Sequence, residues 1–100
     1  MKIIKDYVDK IEEELCGAKE YAEKYVYYKA KDDGQQWSSR FKEMANDELR
    51  HAMNIHQLAV EEIDRLNKVF TPPQEMMDAW DKSHKEFVEK SAWIKQMLAM

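Results

Sequence analysis

An all-α fold is predicted by three observations. Only two Gly and two Pro occur in 100 residues, β-branched runs are missing, and apolar residues recur at alternating steps of three and four. A hydrophobic content of 44% over this length is enough for one small core, so residues 1–100 read as a single domain. Twenty acidic residues against 16 basic ones give a net charge of −4 with no basic patch, which argues against a nucleic-acid surface. No apolar run approaches the ~18 residues of a membrane span. Cys16 is the single cysteine, which excludes an internal disulfide framework, and Met1 leads directly into an amphipathic pattern without a signal segment. The expected location is cytoplasmic, in a reducing compartment.

The first helix is expected over residues 2–29, where Ile4, Val8, Ile11, Leu15, Ala18, Ala22 and Tyr25 form a packing seam. It ends in Lys31-Asp32-Asp33-Gly34, where Asp33 can cap the next helix with Gln36 as its capping-box partner. The second helix, 34–69, spans roughly 50 Å at about 1.5 Å per residue, so the first two helices form a long antiparallel hairpin. Phe70-Thr71-Pro72-Pro73-Gln74 is a break, because proline disfavours helix in the residue before it and is accepted in the first turn of the next, with Thr71 as the expected cap. The third helix, 73–98, places Met76, Met77, Trp80, His84, Phe87, Val88, Ser91, Ile94 and Leu98 on one face. Three helices leave faces uncovered, and dimerisation into a four-helix bundle would bury them.

The chemistry concentrates at Asn46-Asp47-Glu48-Leu49-Arg50-His51-Ala52. Glu48 and His51 are three residues apart, so one helical turn directs both side chains to the same space, which is a metal-ligand spacing. At about 100° per residue Glu48 falls on the stripe of Trp37, Phe41, Met44, Ile55, Ala59 and Leu66, so it is expected to point into the core. A carboxylate there costs several kcal/mol unless a cationic partner or a metal ion pairs it. The reading without metal is a hydrogen-bonded Glu48–His51 pair, or a salt bridge to a Lys or Arg of another helix. Two ligands are too few for a stable iron, manganese or zinc site, so others must come from elsewhere, and helix one offers carboxylates near the right height. Glu14 is the candidate, about 70° from the seam's centre and at the matching height along the hairpin; Glu13 and Glu20 point away from the seam.

A helix with Glu13-Glu14-Leu15 and Tyr21, followed by a helix with Glu48-x-x-His51, resembles the ferritin-like di-iron carboxylate superfamily, in particular encapsulated ferritins and rubrerythrins. The resemblance covers about the first two thirds of the chain. It implies Glu14, Glu48 and His51 as metal ligands and catalytic residues, iron (Fe2+/Fe3+) as the metal with manganese or zinc able to take its place, and oxidation of ferrous iron as the reaction. Classical members carry the ligand pair twice in one bundle and this chain carries it once, so the resemblance implies a homodimer or higher oligomer contributing four carboxylates and two imidazoles. There is no Gly-rich linker or C-terminal targeting peptide after helix three, which leaves residence inside a protein shell unsupported.

Two further residues are candidates for the metal: His84, expected between Trp80 and Phe87 on the apolar face of helix three, and Glu62, two heptads beyond Glu48. Their plainer readings are a hydrogen-bonded core histidine and a surface salt bridge. His56 reads as an interhelical contact, Cys16 as a packing residue, and the tyrosines Tyr21, Tyr25, Tyr27 and Tyr28 as aromatic packing, with Tyr21 close enough to Glu14 to act as a redox relay. The rival to an iron-oxidising protein is a non-catalytic helical interaction protein of phage or mobile-element type, in which the ferritin-like scaffold persists and the Trp-rich third helix docks a partner.

Overall fold

The computed structural model describes residues 2–100, nearly all of them in three helices: α1 (Lys2–Lys29), α2 (Gln35–Asn67) and α3 (Gln74–Leu98). No strand occurs among the described residues, and no helix is long and apolar enough to cross a membrane. The helices begin one residue later than the expected 34 and 73, and α2 ends two residues before 69.

Helix α1 buries Ile4, Ile11, Leu15, Ala18, Ala22 and Tyr25, with Val8 half-buried among them. Opposite lie Ala45, Leu49, Ala52, Ala59, Ile63 and Leu66 of α2. Alanines on both lines let the two backbones approach closely, and this explains a difference from the sequence expectation. The stripe predicted to be core reaches it only in its second half, where Ala59 and Leu66 are buried; its first half is the neighbouring line, with Trp37 and Met44 exposed and Phe41, Glu48 and Ile55 intermediate. Side-chain size decides it: the small residues face α1, and the large ones are left on a flank that no fourth helix covers.

The connection between α1 and α2 is set by Gly34. A Cβ there would lie 2.1 Å from the Tyr28 carbonyl oxygen, so only glycine permits this close return. Gly34 also occupies the N-cap position, its carbonyl accepting from the Ser38 amide at 2.9 Å, and no side chain caps the helix. Asp33 therefore does not form the expected capping box with Gln36. Thr71 is likewise not the cap of α3: Pro73 takes that place with ψ 141°, and its carbonyl accepts from the amides of Met76 and Met77. The proline pair holds the chain extended up to the first helical residue, which moves the start past Thr71.

Helix α3 packs along α1 and meets α2 marginally. It buries Met76, Trp80, Ser83, Ser91, Ile94, Met97 and Leu98, while His84 and Val88, expected on the apolar face, are exposed. The face turned to α1 runs through the serines, whose small side chains permit close approach, and this rotates His84 to the side nearer α2. The molecule is a rod of 58 × 17 × 17 Å with a radius of gyration of 16.2 Å, against about 13 Å for a globular chain of this length.

Candidate metal centre

Near the middle of the hairpin, α1 presents Glu14 and α2 presents Glu48 and His51 from successive turns, so that one ligand atom from each lies within 4.8 Å of the others. Sequence reasoning singled out these three, and the fold brings them together. The i, i+3 spacing sets Glu48 and His51 side by side, and the antiparallel pairing sets Glu14 across from both. His51 Nδ1 lies 3.6 Å from Glu14 Oε2. Burial is graded rather than complete: Glu14 is 9% exposed, Glu48 is intermediate, and His51 stands at the rim with 48% of its side chain exposed. Glu48 thus lies at the edge of the α1–α2 core and not inside it, because the alanine line occupies the interior.

Space for the Glu48 carboxylate comes from Gly17. A Cβ at that position would sit 3.3 Å from Glu48 Oε2, so the glycine leaves a notch in α1 that the carboxylate fills. Glycine inside a helix is destabilising by roughly 1 kcal/mol relative to alanine, and one three residues after Glu14 was a signal available in the sequence. Lys10 was also passed over. Its Nζ lies 3.5 Å from Glu14 Oε1 and 3.5 Å from Glu13 Oε1, the i, i+4 and i, i+3 geometry that sequence spacing could have suggested.

The electrostatics follow from two carboxyls in contact. A hydrogen bond from Glu48 holds Glu14 below the usual carboxylate range, with help from the charges of Lys10 and His51 against the opposing effect of burial. Glu48 is held above that range because its proton is bonded to Glu14, because burial disfavours its charge, and because the Glu14 carboxylate repels a second negative charge. The two carboxyls are therefore displaced in opposite directions and titrate as a pair. Hard oxygen donors with one imidazole suit iron, manganese or zinc. The donor set fits such an ion on two counts: a cation would relieve the repulsion between the two carboxyls, and ligand atoms of all three residues lie within 4.8 Å of one another.

The three residues line an open cleft of about 1140 Å3, walled by Leu15, Cys16 and Tyr21 of α1 and by Trp93 and Ile94 of α3. Tyr21 also stacks on Phe41, ring centroids 6.1 Å apart. The other metal candidates fall elsewhere. Glu62 is bound by Arg65 through two hydrogen bonds, at 3.1 and 2.5 Å, and His84 pairs with His56 at 2.9 Å. Neither belongs to the Glu14–Glu48–His51 group. Asp47 pairs with Arg50 at 3.2 Å. Comparison with protein-family models, curated proteins and solved structures found no match to this chain.

Proposed function

We propose that this protein is a ferritin-like metal-binding protein in which two copies pair across the face carrying Glu14, Glu48 and His51, and that it oxidises ferrous iron with dioxygen. The observation that carries this reading is the convergence of two carboxyls and an imidazole on an uncovered apolar line. Along that line Trp37, Phe41, Met44, Glu48, His51, Ile55 and Leu58 follow alternating steps of four and three, the seam by which one helix packs on another. Trp37, Met44 and Leu58 are 44, 40 and 49% exposed, more than residues of this size need be on a finished surface.

The surface area points the same way. The chain exposes 6838 Å2, whereas a globular protein of its mass exposes about 6000 Å2. The excess of roughly 850 Å2 is close to the ~800 Å2 that each partner buries in a standard interface. Pairing would bring four carboxylates and two imidazoles to one place, a ligand set for two metal ions.

In the reaction, two ferrous ions give up one electron each, and dioxygen takes two electrons and two protons to leave as hydrogen peroxide. Glu14 and Glu48 hold the ions through oxygen and stabilise the higher ferric charge, and His51 contributes a neutral nitrogen. A bound ion would favour the ionised form of Glu48, whose carboxyl is otherwise held above the usual range. Leu15 and Ile94 make part of the cleft wall apolar.

Anaerobic ferrous titration followed by exposure to air tests the reading. Wild type is expected to bind ferrous iron and consume dioxygen at one molecule per two iron ions, and His51→Ala and Glu14→Gln to do neither. Equal, weak binding by all three proteins would refute it. The alternative of a non-catalytic interaction protein draws on Trp93, 56% exposed on α3, as an anchor for a partner. That reading gains if the metal titration fails.

A further inference from the structure

His56 and His84 make the one side-chain hydrogen bond between α2 and α3 among the described residues, His56 Nε2 to His84 Nδ1 at 2.9 Å. The 5.1 Å between ring centroids is close to that distance plus the two ring radii, so the nitrogens meet nearly head-on along the line joining the rings. Around this bond His56 is a knob from α2 held by α3: it stacks on Phe87 at 4.3 Å with a 15° interplanar angle and leans on Trp80 at 5.0 Å. Because α2 and α3 otherwise meet marginally, this cluster is their principal link. Two opposed imidazoles do not make a metal site, since their lone pairs point at each other and no third ligand is grouped with them.

We propose that His56 and His84 form a proton-gated clasp that holds α3 to α2 while the pair carries up to one added proton and opens when it carries two. The neutral pair has a single hydrogen between the facing nitrogens. A first added proton can leave the bond in place, with His84 Nδ1 donating and His56 Nε2 accepting, now charge-assisted. A second must enter at His56 Nε2 itself. Both facing nitrogens then carry hydrogen, two cations stand in contact, and the bond cannot persist.

The surroundings favour this order. Burial between Trp80 and Phe87 pushes the His56 imidazole below its usual range, and the charge of His84 pushes it further the same way. Burial and the His84 charge are the influences on the His56 imidazole, and no carboxylate is among them to favour its charged form. Once open, the clasp frees the segment of α3 from Trp80 to Phe87 from α2, while the packing of α3 on α1 remains.

Imidazole NMR titration of the full chain from pH 8 to pH 4.5, with amide hydrogen exchange and helix content followed in parallel, tests the proposal. We expect the pair to take up its two protons in separated steps, the lower one at His56. Exchange in the first half of α3 should rise at least tenfold through that lower step at constant helix content. In His84→Ala the coupled step should vanish and exchange in α3 should already be fast at pH 8. Two independent imidazoles titrating together, or α3 exchange unchanged across both steps, would overturn it.

Discussion

Glu48, held above the usual carboxylate range by Glu14 and by burial, is a carboxyl whose ionised form a metal cation would favour. Glu48→Gln retains a donor toward Glu14 but removes the oxygen ligand and the titration. Its metal affinity is expected to fall by about 100-fold or more, since loss of an outer hydrogen-bonding partner alone costs 10–100-fold, while the metal-free protein melts no lower than wild type; calorimetry on both proteins checks this pair of results. The same group sets a pH dependence. Its folded pKa is raised, so the folded state binds more protons than the unfolded chain above 4.5, and the contribution of Glu48 to stability is lost as pH rises through the raised value. Glu14, held low, works in the opposite sense below 4.5, where its contribution is lost as pH falls. Denaturant melts of the metal-free protein should therefore show a decline on the alkaline side of 4.5 that Glu48→Gln lacks. At this scale the sequence was informative where geometry is local, because Glu48 and His51 are one turn apart on any helix. It misled where the answer depended on a neighbour: His84 reads as a core histidine from its own helix, and only the position of α2 makes it the exposed half of a pair.

Helix α1 holds a conflict between its own stability and the room needed by α2. Gly17 weakens the helix and opens the notch occupied by Glu48. Gly17→Ala should raise stability by up to ~1 kcal/mol from helix propensity, because the contact it creates is with the far end of a flexible side chain, and should lower metal affinity by displacing that same carboxylate. Denaturant midpoint and metal titration on one preparation would show the two effects moving apart. The opposite case is the turn: Gly34→Ala places a methyl against the Tyr28 carbonyl, and a loss of several kcal/mol in the same melts is expected. Helix number, order and approximate ends were legible from apolar spacing and the Pro-Pro break. The caps were not, since Asp33 and Thr71 carry suitable side chains while the actual ends are fixed by a close backbone return at Gly34 and by the extended Pro73. Which line of α2 faces α1 was also hidden, because hydropathy ranks Trp37 and Met44 above Ala45 and Ala52 whereas close packing of two backbones prefers the alanines.

The rod of 58 × 17 × 17 Å has the slender outline of half a bundle, with an uncovered seam along α2 and the candidate ligands partway along it. Joining two such rods would bury the seam and would assemble the ligands in the same step, which links oligomer state to metal binding. Met44→Lys, one turn from Glu48 on that exposed line, should shift the protein toward monomer in sedimentation and weaken metal uptake in parallel, without touching a ligand. The central claim, that Glu14, Glu48 and His51 of two copies hold metal between them, meets its most direct test in native mass spectrometry of protein loaded with ferrous iron under anaerobic conditions. Wild type should appear as a dimer carrying two iron ions and Glu48→Gln as an iron-free species. A monomer that retains iron, or a dimer whose iron content is the same in both proteins, would contradict it.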